Sequence, residues 1–165
     1  MNEFPARSHL RLKEYDYAQN GAYFVTVCVE GRAQILGHIV GAGPRPARCE
    51  LTPFGDIVQN VWNSLPQHTT GITLGPFVIM PDHIHAIILL DDRRAGLGPA
   101  PTALTEVVRQ LKSFSSRRIN QLRGTPGSKF WQRGYYEHVI RNEEDFLSCR
   151  ESIENNPAKW LENTP

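Results

Sequence analysis

The sequence predicts an α+β fold, a ferredoxin-like antiparallel sheet of split β-α-β-β-α-β order with an additional C-terminal helix. Three observations lead there. Strand-like and helix-like stretches follow one another in that order. The two middle strands are separated by only three residues, which suits a hairpin. A length of 165 residues fits one domain around one core, with loops near 41–48 and 91–102.

"GAYFVTVCVEG" (21–31) is aromatic and β-branched and ends in Gly, so it reads as a strand. "QILGHIVG" reads as a second, shorter strand, and "GAGPRPAR" (41–48) as a loop on its Gly and Pro content. "LTPFGDIVQNVWNSLPQH" reads as a helix. Thr52 is a natural N-cap, Pro53 suits the first helical position, and Phe54, Ile57, Val58, Val61, Trp62 and Leu65 fall on one side. "ITLGPFVIM" (72–80) and "HIHAIILL" (83–90) read as strands joined at Met80–Pro81–Asp82. After the loop "DDRRAGLGPAPT", a helix follows whose buried side is Leu104, Val107, Val108, Leu111, Phe114, Ile119 and Leu122, ending at Gly124. "KFWQRGYYEHVIR" (129–141) reads as the fourth main strand. "NEEDFLSCRESIENNP" is the last helix, capped by Asn142, acidic in its first turn and stopped by Pro157.

Composition narrows the class without choosing a function. Net charge is +1, and the whole chain calls for neither nucleic acid nor membrane. Three widely spaced cysteines (Cys28, Cys49, Cys149) suggest reduced thiols, not a disulfide framework. No run approaches a membrane span, and "MNEFPARSHLRLKEYDY" lacks the apolar core of a signal peptide; a cytoplasmic protein is expected. Charge is nonetheless segregated. Residues 101–141 carry eight Lys/Arg against two acids, and residues 142–165 two against six. Such segregation makes either a local basic surface or an ordinary solvated helix face.

"VIMPDHIHAIILL" (78–90) carries the chemistry. Residues i and i+2 of a strand share a face, so His83 and His85 present two imidazoles side by side next to a turn. Imidazole pairs suit Zn, Mn, Fe, Ni or Cu, whereas Mg usually asks for more oxygen. The bare pattern is weak, and two satisfied core or surface histidines are the plainer explanation of the pair.

The stretch resembles the histidine–hydrophobic–histidine (HUH) motif of the single-tyrosine transposases that act on single-stranded DNA. "RLKEYDYAQNGAYFVTVCVEGR", "TEVVRQLKSFSSRRIN", "FWQRGYYEHVIRNEEDF" and "IENNPAKW" look like the REP-associated branch, in order and over nearly the whole chain. The resemblance implies a ferredoxin-like sheet and a divalent ion, Mg or Mn, held by the histidines. It implies a tyrosine on the last helix that attacks a phosphodiester and stays joined to the 5′ phosphate. It further implies an Asn or Gln one turn later as third ligand, a palindromic hairpin substrate with a short guide sequence, and a monomer acting on nucleoid DNA. Residue by residue, the metal positions are His83, His85 and Asn156. The nucleophile position, one place before Ile153, is Ser152 instead of tyrosine.

That replacement leaves three readings: an engineered trap, a natural variant that binds without cleaving, or attack by another tyrosine. Tyr135 and Tyr136 are the fallback nucleophiles, one facing inward and one outward, with core packing or stacking as the plainer role. Beside the site, Lys112, Arg117, Arg118, Arg123, Lys129 and Arg133 are candidate phosphate contacts, and Trp131 with Phe130 are candidates to stack on unpaired bases. Arg11 and Lys13 are weaker candidates for the guide sequence. His138 either faces the cleft or serves packing. A DNA-binding protein derived from such a transposase is the alternative function. An unrelated metal hydrolase using Asp82, more simply a turn residue, is a third.

Overall fold

The structure, a computed structural model, describes residues 21–41, 44–90 and 103–163. Arg11, Lys13 and the loop at 91–102 lie outside them. The elements are β1 (Gly21–Cys28), β2 (Gly37–Val40), β3 (Arg48–Leu51), α1 (Pro53–His68), β4 (Ile72–Ile79), β5 (His83–Leu90), α2 (Leu104–Leu122), β6 (Tyr136–Ile140) and α3 (Glu143–Asn163). The main sheet has the order β4-β5-β1-β6 with every neighbouring pair antiparallel. That is the split arrangement expected, with β2 and β3 added as a separate two-stranded sheet between β1 and α1.

The strict alternation of β1 and β5 divides the sheet into two faces. Tyr23, Val25 and Val27 with Ile84, Ala86 and Ile88 are fully buried in the main core, together with Val58, Val61 and Leu65 of α1 and Leu104, Val107 and Leu111 of α2. The opposite face carries Phe24, Thr26 and Cys28 beside Ile87, His85 and His83, their register partners. Helix α3 packs on this second face, against β4 and β5. At the start of α1, the Thr52 hydroxyl accepts from the Gly55 amide and donates to the Ile35 carbonyl, so the cap also ties the helix to the preceding loop. A Cβ at Gly55 would run into the Leu36 carbonyl, which explains a glycine inside a first turn. Edge strand β4 has a register shift between Leu74 and Phe77, around Gly75 and Pro76, where a bulge tolerates a residue without an amide.

Four expectations need correction. "QRGYYEH" does not continue a strand from residue 129: β6 begins at Tyr136, because Gly134 turns the chain with φ 78° and Trp131 makes a lone bridge to Val29. Helix α3 does not stop at Pro157 but runs on to Asn163, with Pro157 buried inside it. A proline there removes one amide donor and crowds the preceding turn; burial of Ile153 and Pro157 and the packing of Trp160 against His83 hold the helix through it. Leu122 is 58% exposed at the end of α2 rather than part of its buried side. Arg48–Leu51 is a strand paired with β2, although the Gly and Pro content up to residue 48 reads as loop.

Candidate metal centre and DNA interface

His83 opens β5 and His85 follows on the same face, both almost completely buried. Each ring is fastened at Nδ1. His83 Nδ1 lies 2.6 Å from Asp82 Oδ1, and His85 Nδ1 lies 2.7 Å from the Thr26 hydroxyl on β1. The two Nε2 atoms are left pointing at one another, 3.1 Å apart. The Asp82 carboxylate accepts from His83 Nδ1 and so leaves a lone pair on its Nε2, whereas the Thr26 hydroxyl can either donate to or accept from His85 Nδ1. Two lone pairs converging at this distance repel unless a proton or a cation lies between them. Two nitrogen ligands bound at about 2.0–2.1 Å sit roughly 2.9–3.4 Å apart in octahedral or tetrahedral geometry. The observed 3.1 Å is therefore a spacing that two nitrogen ligands of one divalent ion would have.

The surroundings hold this state. Burial, and then the neighbouring His83, push the His85 pKa down to about 3, so its imidazole is neutral near neutral pH. Burial alone would push the Asp82 carboxyl up. The hydrogen bond and charge of His83 and the Arg32 guanidinium outweigh it and hold Asp82 below the usual carboxylate range. Arg32 Nε donates to Asp82 Oδ2 at 3.0 Å, and its Nη1 donates to Cys28 Sγ at 3.2 Å. Arg32 has φ 55°, an unusual backbone state for a non-glycine residue, and it places the guanidinium behind the carboxylate. Phe24 stacks on the His85 ring at 5.2 Å between centroids.

Helix α3 covers the pair. The Trp160 ring is 6.3 Å from the His83 ring. Asn156, half-buried, precedes Trp160 by one turn and lies on the same helix stripe. Ser152 is a further turn back and exposed. Trp160 thus brings the C-terminal part of α3 to the histidines, and Asn156 and Ser152 lie one and two turns before it along the helix. Of the two fallback tyrosines, Tyr135 packs against the main core, whereas Tyr136 pairs with Thr26 on the histidine face and meets Phe24 edge-on.

The basic residues divide. Lys112 donates to the carbonyls of Gln132 at 2.8 Å and Gly134 at 2.7 Å, pinning the turn before β6. Arg123 lies over Phe130 and donates to Thr125, and Lys129 pairs with Glu30 at 3.4 Å. Arg117, Arg118 and Arg133 are exposed. Trp131 and Phe130 are core residues, 5% and 2% exposed, and the Trp131 indole donates to the buried Ser115 hydroxyl at 2.9 Å. They are not available to stack on bases, which corrects the expectation drawn from their aromaticity.

Three contributors escaped the sequence: Thr26, Arg32 and the positioning role of Asp82. Asp82 does serve the turn, its carbonyl accepting from the Val29 amide. Its place immediately before His83 was the available signal for its second role. Thr26 and Arg32 meet the site only across strands, 59 and 50 residues away in sequence.

The chain belongs to the transposase IS200-like family, whose model matches residues 56–156, over half of the chain, from the first turn of α1 to Asn156. A protein of Haemophilus influenzae whose function is uncharacterised is 30% identical over 171 residues, covering 93% of this chain and 89% of its own length. A second protein of that organism, provisionally named as a REP-associated tyrosine transposase, is 26% identical over 146 residues, 87% of this chain and 74% of its own. The solved structure of a REP-associated tyrosine transposase bound to a REP hairpin matches with a TM-score of 0.62 at 22% identity, over 90% of this chain and 74% of that one. The resemblance read from the motifs therefore holds, and so does the fold. Among the described residues no helix is long and apolar enough to cross a membrane.

Proposed function

We propose that this chain binds single-stranded DNA folded into a repeat hairpin and holds a phosphate of it at His83, His85 and Asn156 through Mg or Mn, with cleavage impaired by Ser152. The observation that carries the reading is the convergence of two anchored imidazoles, Nε2 to Nε2 at 3.1 Å, under the helix that bears the family's nucleophile position. A divalent ion there would polarise a phosphate oxygen and offset charge developing in the transition state. The chain's own residues do the rest. Asp82 and Thr26 orient the rings, burial keeps His85 neutral, and Asn156 offers a side-chain carbonyl. Arg117, Arg118 and Arg133, with Arg123 and Lys129 in support, would position the DNA backbone without reading sequence.

Ser152 does not replace a tyrosine by chemistry alone. Its hydroxyl lies roughly 4 Å nearer its own Cα, and a misplacement of about 1 Å already costs on the order of 100-fold in rate. Tyr136 stays as the alternative nucleophile, since it shares the histidine face. The implied setting is a monomer on nucleoid DNA in the cytoplasm.

A non-catalytic DNA-binding protein of the same descent is the second reading, favoured by Ser152 lying exposed on a helix that is fully formed without tyrosine. Restoring tyrosine at 152 separates the two, since only an otherwise intact enzyme regains nicking. The shared part of the proposal is tested by gel-shift titration of the protein with a repeat hairpin and with an unstructured strand of equal length and composition. At least tenfold preference for the hairpin is expected; equal affinity would sink it.

A further inference from the structure

A different set of metal-ligating groups joins the early turns of α3 to the sheet edge. His138 on β6 and Asp145 and Cys149, one turn apart on α3, bring an imidazole nitrogen, a carboxylate oxygen and a thiol sulfur to within 4.8 Å of one another. His138 Nε2 lies 2.8 Å from Asp145 Oδ2, and Cys149 Sγ donates to Asp145 Oδ1 at 3.9 Å. A tetrahedral ion with nitrogen and oxygen ligands at about 2.0–2.2 Å and sulfur at about 2.3 Å needs donors roughly 3.3–3.6 Å apart. Two of the spacings, 2.8 and 3.9 Å, bracket that range and the third pair lies within 4.8 Å, so small shifts of the three side chains would seat an ion. All three residues are half-buried, leaving a path for entry and a fourth position for water.

Part of the cluster has a purely structural explanation. Asn142 caps α3 by accepting the Asp145 amide at 2.7 Å, and the Asp145 carboxylate accepts the Arg141 amide and pairs with His138. That accounts for Asp145 and His138. It does not account for a thiol aimed at the same carboxylate from one turn further along.

We propose that His138, Asp145 and Cys149 form a second cation site, distinct from the His83–His85 pair, which takes a zinc-class ion and staples α3 to edge strand β6. The donor set carries the choice of ion, because a thiolate with an imidazole selects Zn or Co over Mg or Mn. On binding, the Cys149 thiol proton leaves to solvent. The His138 proton moves from Nε2 to Nδ1, and the ionised Asp145 supplies its oxygen as it stands. Cys149 lies three residues before Ser152, so an ion here would fix the turn that presents position 152. Only that last consequence rests on the function proposed above; the site itself does not.

The test is a cobalt(II) titration of the reduced full-length chain, followed by zinc displacement. One equivalent should produce a thiolate-to-cobalt charge-transfer band with the intense visible bands of a tetrahedral ion, and zinc should abolish both. Cys149→Ser should remove the charge-transfer band and weaken zinc binding at least about tenfold. The double variant His83→Ala/His85→Ala should keep the band. No thiolate band in the unaltered chain, a band surviving Cys149→Ser, or its loss in the double histidine variant would each overturn the site. If Cys149→Ser proves unfolded by circular dichroism, His138→Gln replaces it; unchanged zinc affinity there would overturn the proposal equally. Hairpin binding can fail while this titration succeeds, and the reverse, so the two proposals fall separately.

Discussion

The two faces of one sheet are built from neighbouring residues of the same strands to opposite ends. On β5, Ile84, Ala86 and Ile88 point into a fully buried apolar core under α1 and α2. His83 and His85, interleaved with them, point the other way and are buried just as completely, yet every ring nitrogen there is directed at a polar atom. The first face stabilises by removing apolar surface from water. The second spends burial on holding His85 neutral and both rings oriented, which does little for stability and much for ligand binding. An antiparallel sheet with a period of two lets one strand do both.

Substitutions on the two faces should separate those functions. Ile84→Ala or Ile88→Ala should cost about 2–5 kcal/mol through transfer and cavity terms, read by urea denaturation, and should leave Mn affinity per folded molecule unchanged. His85→Gln should cost less than about 2 kcal/mol while lowering Mn affinity at least about tenfold by calorimetry. A stability loss as large as that of Ile84→Ala would erase the contrast. Asp82→Asn keeps the turn but loses the carboxylate behind His83; a drop in Mn affinity of about 10–100-fold is expected, with the melting temperature little changed.

Acid should find the histidine face first. The unfolded chain protonates His85 below its ordinary value of 6.5, while the folded chain resists until about pH 3. Between those values the unfolded state binds more protons, so stability falls as pH falls, by at most about 1.4 kcal/mol per pH unit for this group. Asp82, depressed in the folded state, adds loss in the same direction at lower pH. Thermal melts in chelator should steepen below pH 6.5 in the unaltered chain and flatten in His85→Gln; identical slopes would place the acid sensitivity elsewhere. The smallest effect concerns the surface. Arg118→Ala should weaken binding to all single strands alike and reduce the salt slope by about one, whereas Lys112→Ala should act on stability, because that ammonium fastens the turn before β6.

Local signals were legible in the sequence and long-range ones were not. Thr52 followed by Pro53 announced the start of α1, the Pro81–Asp82 turn announced the hairpin, and i, i+2 spacing put both histidines on one face. Strand β3 is four residues long and becomes a strand only by pairing with β2. "KFWQRGYY" has strand composition, but Gly134 and the burial of Trp131 against Ser115 are decided by packing. Pro157 would end an isolated helix; contacts with the sheet carry α3 past it. Asp82 was visible as a turn residue but not as the partner of His83 and Arg32, and Thr26 reaches His85 only once the register of β1 on β5 is known.

We propose that a metal centre at His83, His85 and Asn156 is intact and that Ser152 alone silences it. Covalent trapping on labelled hairpin DNA tests it most directly, comparing the chain as it stands with Ser152→Tyr, in Mn or Mg and in chelator. A protein–DNA adduct on a denaturing gel in the tyrosine variant alone, and only with metal, is the predicted result. No adduct from either protein on DNA that both bind, or an adduct that forms equally well in chelator, would contradict it.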